Sequence, residues 1–125
     1  MRGSKKDLPK TMETSEMVMH EAEWGDMHVE FDTAHKKLDV TPLLKGLPDD
    51  RCQCPHWGYV VKGRVTIKYK DREEIANAGD AYYMAPGHTA ILDAGTEAVE
   101  FSPKDKLKKT MEVIMRNFEA MQKKK

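Results

Sequence analysis

Cys52-Gln53-Cys54-Pro55-His56-Trp57-Gly58-Tyr59-Val60-Val61-Lys62-Gly63 places two thiols and an imidazole within five residues, then runs into an apolar, aromatic segment that stops at glycine. The second half reads as a strand closed by a turn, because β-branched and aromatic residues pack well on a pleated surface and glycine punctuates it. If the first half is extended too, Cys52, Cys54 and His56 share parity, since side chains alternate along a strand. Three donors then converge on one face. Thiolate sulfur and imidazole nitrogen suit Zn²⁺, or after it Fe²⁺, better than Mg²⁺ or Ca²⁺, which take oxygen ligands. The stretch therefore predicts a divalent transition-metal site mounted on a β-scaffold.

Strand signals extend on both sides. Upstream, Met27, Val29 and Phe31 alternate with His28, Glu30 and Asp32 in the period of a half-buried strand, and Met17 to Glu23 reads as its antiparallel neighbour. The segment Thr41 to Asp50 carries two prolines and a glycine; it reads as a loop packed by its own leucines and able to wall a pocket. Downstream, Trp57 to Lys62, a turn at Gly63, and Arg64 to Tyr69 predict a hairpin. Glu73 to Asn77, Gly79 to Met84, Thr89 to Leu92 and Thr96 to Phe101 follow at regular spacing between turn residues. Short strands at this spacing point to an all-β sandwich or barrel.

The last segment changes period. Ser102 reads as an N-cap, Pro103 as the first helical residue, and Asp105 puts a carboxylate where the helix dipole favours it. Leu107, Met111, Ile114, Phe118 and Met121 line one stripe of that helix. The segment from 104 onward holds eight basic residues against three acidic ones. It reads as an amphipathic helix packed on the barrel, with a partner contact as the alternative. The organisation is then a disordered or expression-derived N-terminus over 1–12, a barrel over 13–102 and a C-terminal helix over 103–125.

A chain of 125 residues is one domain with a modest core. A formal net charge of zero, with 34% charged residues, argues against nucleic acid as the partner. No apolar run reaches bilayer-spanning length and the N-terminus lacks a secretory signal, so the chain reads as cytoplasmic and without a membrane partner. Two cysteines one residue apart make a poor disulfide and better metal ligands. Phosphate loops, nucleotide fingerprints and serine-nucleophile motifs are absent from the sequence.

The run from Cys52 to Gly63, followed by Gly79-Asp80-Ala81-Tyr82-Tyr83-Met84-Ala85-Pro86-Gly87-His88, resembles the two motifs of a small single-domain cupin. In that superfamily the first motif reads G-x5-H-x-H-x3,4-E-x6-G and the second G-x5-P-x-G-x2-H-x3-N. Counting back from Gly63, His56 stands where the family carries glutamate. The histidine pair falls on Asp50 and Cys52, or, with a shift of two residues, on Cys52 and Cys54. Gly79 and Gly87 keep their places, Pro86 comes one residue late, His88 directly follows the glycine, and the final asparagine is missing. The resemblance implies a jelly-roll barrel, a metal inside its mouth, frequent homodimers, and activities from oxygenases and isomerases to binding alone.

With His88 brought in from the second motif, the candidate metal set is Cys52, Cys54, His56 and His88. If all four bind, the ion is closed and structural; if three bind, a position stays open for water or a small molecule. Cys54, His56 and His88 are the expected three, with Cys52 the open fourth. Each has a bland counterpart: buried cysteines as small hydrophobes, His56 as a core imidazole, His88 as a turn cap. Trp57, Tyr59, Tyr82 and Tyr83 read first as barrel filling. Trp57 and Tyr83 are candidates for a pocket at the mouth, and Glu97 joins them if Val99 and Phe101, which share its parity, face inward. His20, His28 and His35 read as surface. No catalytic residue is assigned. The expected function is binding or transforming a small molecule at the metal site, with a non-catalytic sensing module built round a structural metal as the alternative.

Overall fold

The computed structural model describes residues 1–123; Lys124 and Lys125, which the expected helix included, lie outside them. In chain order the strands are β1 (Lys10–Glu13), β2 (Met17–Trp24), β3 (Met27–Ala34), β4 (Leu38–Asp39), β5 (His56–Lys62), β6 (Arg64–Lys68), β7 (Glu73–Asn77), β8 (Ala81–Met84), β9 (Thr89–Leu92) and β10 (Glu97–Pro103), followed by helix α1 (Lys104–Lys123). They form a six-stranded sheet, β1-β2-β3-β10-β5-β8, facing a four-stranded one, β4-β9-β6-β7. All pairings are antiparallel. Ala34, Val60 and Met84 from the first sheet meet Val65, Ile67 and Leu92 from the second in one buried cluster. The result is an all-β jelly-roll barrel with a C-terminal amphipathic helix. Among the described residues no helix is long and apolar enough to cross a membrane.

Two segments depart from the expected organisation. The N-terminus is not disordered: Lys5–Asp7 form a 3-10 turn and β1 pairs with β2, because Leu8 and Met12 have apolar surface to bury. The expected hairpin across Gly63 does not form either. β5 pairs with β10 and β8, whereas β6 pairs with β7 and β9, so the chain changes sheets at Gly63. Gly63 has φ +81, and a Cβ there would lie 2.7 Å from the Thr96 Cα. Only glycine fits this corner.

Gly58 answers to a different constraint. It pairs with Tyr82 across β5 and β8, and the tyrosine ring lies over the glycine where a side chain would otherwise stand. Gly58→Ala should therefore displace the ring and lower stability by about 1–3 kcal/mol, the usual cost of overpacking. Urea unfolding would read this, and an unchanged midpoint would mean that the ring moves freely.

Helix α1 closes one side of the barrel. It starts directly after β10, with the Lys104 N–H donating to the Asp26 carbonyl at 3.0 Å. Leu107, Thr110 and Val113 are buried, and Asn117 Nδ2 donates to the carbonyls of Leu43 (2.7 Å) and Lys45 (2.9 Å). Leu44 and Leu47 of the loop pack with Leu107 and Val113; fully burying such a side chain contributes roughly 1.5–3 kcal/mol. The expected stripe holds at Leu107, Met111 and Ile114, whereas Met121 is exposed at the far end. Ser102 is not a cap: it is buried inside β10, and its hydroxyl serves the interior.

Candidate metal centre and cavity

His56 opens β5 with its side chain buried, which fixes the parity of the strand: His56, Gly58 and Val60 face inward, and Trp57, Tyr59 and Val61 outward. Cys52 lies outside any strand. It is held by a backbone bridge to the β8–β9 turn, with the Cys52 N–H donating to the His88 carbonyl at 2.8 Å and the Gly87 N–H to the Cys52 carbonyl at 2.8 Å. This bridge brings together donors that lie far apart in sequence. Cys52 Sγ is 3.3 Å from His56 Nε2, and the His56 and His88 rings stand edge to face at 5.0 Å. One donor atom each from Cys52, His56 and His88 fall within 4.8 Å of one another.

Cys54 does not join this group. Pro55 breaks the extended run ahead of β5, and the Cys54 thiol turns to the Pro55 carbonyl at 3.4 Å in a cluster with Leu44, Leu47, Leu107 and Val113. Parity on an unbroken strand puts both thiols on the face of His56, whereas the bend leaves only Cys52 beside the two imidazoles.

The three clustered donors are oriented by second contacts. His88 Nδ1 donates to the Ala85 carbonyl at 2.7 Å, which leaves Nε2 as the bare nitrogen. His56 Nδ1 lies 2.6 Å from Ser102 Oγ and 3.6 Å from Glu100 Oε2, with Nε2 on the Cys52 side. A buried histidine whose far nitrogen meets a hydroxyl or carboxylate is the usual arrangement of a metal ligand. Burial lowers the His88 pKa to about 4, so the ring is neutral at pH 7, and burial raises Cys52 to about 11 and Cys54 to about 12. Cys52 must lose its proton to bind an ion. The donor set fits zinc or iron in this respect and suits hard cations poorly.

Beside the donors the inner face is carboxylate-rich. Glu21, Glu30, Glu100, Gly58 and Tyr82 are successive cross-strand partners in one row over β2, β3, β10, β5 and β8. The Tyr82 hydroxyl donates to Glu100 Oε1 at 2.8 Å, and His28 Nε2 lies 2.9 Å from Glu21 Oε1. Burial, with the Asp32 charge next to it, pushes Glu30 well above the ordinary carboxylate range. Burial also raises Asp32 to about 7. For His28 burial works downward, but the Glu21 bond and the charges of Glu30, Glu21 and Glu100 together raise it.

The other sequence-predicted residues lie elsewhere. Trp57 and Tyr83 stack at 5.2 Å on the outer face, away from the cavity, because an inward His56 forces its neighbour outward. Glu97 also points away from the cavity, bonded to Lys5 and Lys62, since Ala98, Glu100 and Ser102 are the inward residues of β10. His28 is not a surface residue; its side chain is only 12% exposed. Glu30, Asp32, Glu100, Ser102 and His28 were missed. Their signal was the polar half of the β3 and β10 alternation, which faces inward here.

A cavity of about 130 Å³ joins the two groups; Cys52, His56, His88, Glu30, Asp32 and Glu100 all line it, and helix α1 adds Leu107 and Met111.

No protein-family model matches the chain, and no curated protein matches it. Solved structures do share its fold. An RmlC-like cupin from Shewanella frigidimarina is 14% identical with a TM-score of 0.56, over 81% of this chain and 88% of that one. The polyketide cyclase RemF from Streptomyces resistomycificus is 12% identical with a TM-score of 0.57, over 82% and 78%. KdgF from Halomonas sp. is 13% identical with a TM-score of 0.53, over 82% and 94%. Identities this low speak for the fold alone.

Proposed function

Starting from the cupin fold of this barrel, we propose that Cys52, His56 and His88 hold one divalent transition ion, zinc ahead of iron, and that the adjoining cavity receives a small molecule. The observation that carries this reading is the convergence of three buried donors within 4.8 Å, with the second nitrogen of each imidazole already engaged. Held by these three residues, the ion would supply Lewis-acid chemistry to a molecule in the cavity. Ser102 and Glu100 orient His56, the Ala85 carbonyl orients His88, and Tyr82 holds Glu100. Leu107 and Met111 keep water from that side of the cavity.

Metal analysis of untagged protein, followed by X-ray absorption, tests the reading. One sulfur and two nitrogens around zinc or iron are expected. Two sulfurs would bring Cys54 back and select the sensing module with a closed structural ion; no stoichiometric metal would overturn both. Ser102→Ala should weaken zinc affinity by about 10–100-fold, the usual cost of losing a partner of a ligating histidine. Competition with a chromophoric chelator measures it, and equal affinities would leave the hydroxyl without that role.

The reduced thiols belong with a reducing compartment, and the cytoplasm is the proposed location. A second copy of the chain is the proposed partner, seated on the outer face of the six-stranded sheet. Trp57, Tyr59, Val61 and Tyr83 are 46, 45, 48 and 47% exposed there, next to the free edge of β8. Trp57→Glu should then convert a dimer to a monomer in light scattering. A monomeric parent, or a dimer that ignores the substitution, would remove this face as the interface.

A further inference from the structure

The charges around the cavity are one-sided. Glu30, Asp32 and Glu100 offer carboxylate oxygens within 4.8 Å of one another, and no lysine or arginine lines the cavity with them. The adjacent imidazole, His28, has its Nε2 committed to Glu21 and its Nδ1 3.8 Å from Glu30. Asp32 Oδ1 is buried with no hydrogen-bond partner among the described residues. Past the carboxylates the walls turn apolar, with Met17, Met19, Leu38, Leu92, Met111 and Ile114. The room, about 130 Å³, is of the order of the roughly 150 Å³ apolar cavity that accepts benzene.

We propose that this cavity takes a small organic ammonium, a primary amine on a compact apolar body of about the size of benzene. Its N–H groups donate to Asp32 Oδ1 and to the Glu30 and Glu100 carboxylates, and its carbon body lies against the methionines and leucines. The inference names the ligand class of the barrel and rests on the reading of that cavity as a small-molecule site; it does not require the ion. An alkylammonium keeps its charge at neutral pH, as lysine does with a pKa of roughly 10.4, and charge-assisted hydrogen bonds are the stronger kind. A carboxylate or phosphate ligand would instead bring a further negative charge to a buried acidic cluster with no lysine or arginine on the cavity wall.

A second divalent cation is the rival occupant, and the walls argue against it. Hard ions complete six or more oxygen ligands, often with water. Thioethers and alkyl groups offer none on the far side of the three carboxylates, but they do offer contact to a carbon tail.

The test compares three ligands of one shape on the full chain: benzylamine, benzyl alcohol and benzoate, by isothermal titration at low ionic strength. Benzylamine should bind at least about tenfold more tightly than the alcohol, with benzoate not binding. The isosteric Asp32→Asn should weaken benzylamine by about tenfold or more. Repetition after dialysis against a chelator separates the two readings. Amine binding that survives metal removal supports the inference whatever becomes of the ion, and intact zinc with no amine binding overturns it alone. Equal binding of amine and alcohol, preferred binding of benzoate, or Mn²⁺ titrating in competition with benzylamine and lost in Asp32→Asn would each overturn it too.

Discussion

Asp32→Asn should make the protein more stable at pH 8, by about 2–4 kcal/mol, and flatten its stability between mildly acidic and neutral pH. Asp32 sits on the inner face of β3 beside Glu30, and burial raises its pKa from 3.8 to about 7. The folded chain thus binds this proton more tightly than the unfolded chain does. Its contribution to stability is complete below pH 3.8 and is lost as pH rises through about 7. At pH 8 the ionised group costs about 4 kcal/mol at most, because each tenfold gain in proton affinity on folding is worth about 1.36 kcal/mol; sharing a proton with Glu30 makes the lower end of the range realistic. Asparagine keeps the shape, carries no charge and can donate to Glu30. Urea unfolding of both proteins at pH 5 and pH 8 decides the matter. Parallel losses on going to pH 8 would mean that Asp32 is solvated, and the carboxylate row would lose its buried character.

The second large effect separates the two cysteines. Cys52→Ala should abolish stoichiometric zinc binding, a loss beyond the roughly 10–100-fold expected for an outer contact, because it removes one of only three converging donors. Cys54→Ala should leave zinc binding intact and lower stability by about 1–2 kcal/mol, since the thiol is buried among Leu44, Leu47, Leu107 and Val113 and acts there as a small hydrophobe. Zinc binding at Cys52 would also expel a thiol proton, because burial holds that group protonated up to about 11, so affinity should increase with pH. Chelator competition and thermal unfolding on both variants give the two readouts. Loss of zinc from Cys54→Ala with Cys52→Ala unaffected would reverse the assignment.

Most strand positions were legible in the sequence, because period-two alternation and glycine or proline turns are local signals. The direction in which each strand faces was not. Met27, Val29 and Phe31 look like the buried half of β3, and Val99 with Phe101 like that of β10. Yet Glu30, Asp32 and Glu100 are the residues turned toward the cavity, because this part of the inner face carries a polar row beside the apolar core. The candidate metal residues divide in the same way. Cys52, His56 and His88 stood out by residue type, but which thiol belonged with the histidines depended on the kink at Pro55 and on the backbone bridge from Cys52 to the β8–β9 turn. The proline itself signals a bend, but not which thiol the bend turns away, and the bridge has no signature in spacing. Ser102 was noticed for its capping chemistry, and only the register of β10 against β5 shows its hydroxyl serving His56 instead.

The inversion of faces along β5 and β8 also bears on how such a chain can change over generations. Odd-numbered positions from Trp57 to Val61, with Tyr83, belong to the exterior, while His56, Gly58 and Val60, with Tyr82 and Met84, belong to the interior. Two unrelated selective pressures can therefore act on one short stretch without competing for the same residues. A lineage can exchange its outward contacts by substitutions at one set of positions and leave the inner chemistry untouched, or retune the inner chemistry beneath a constant exterior.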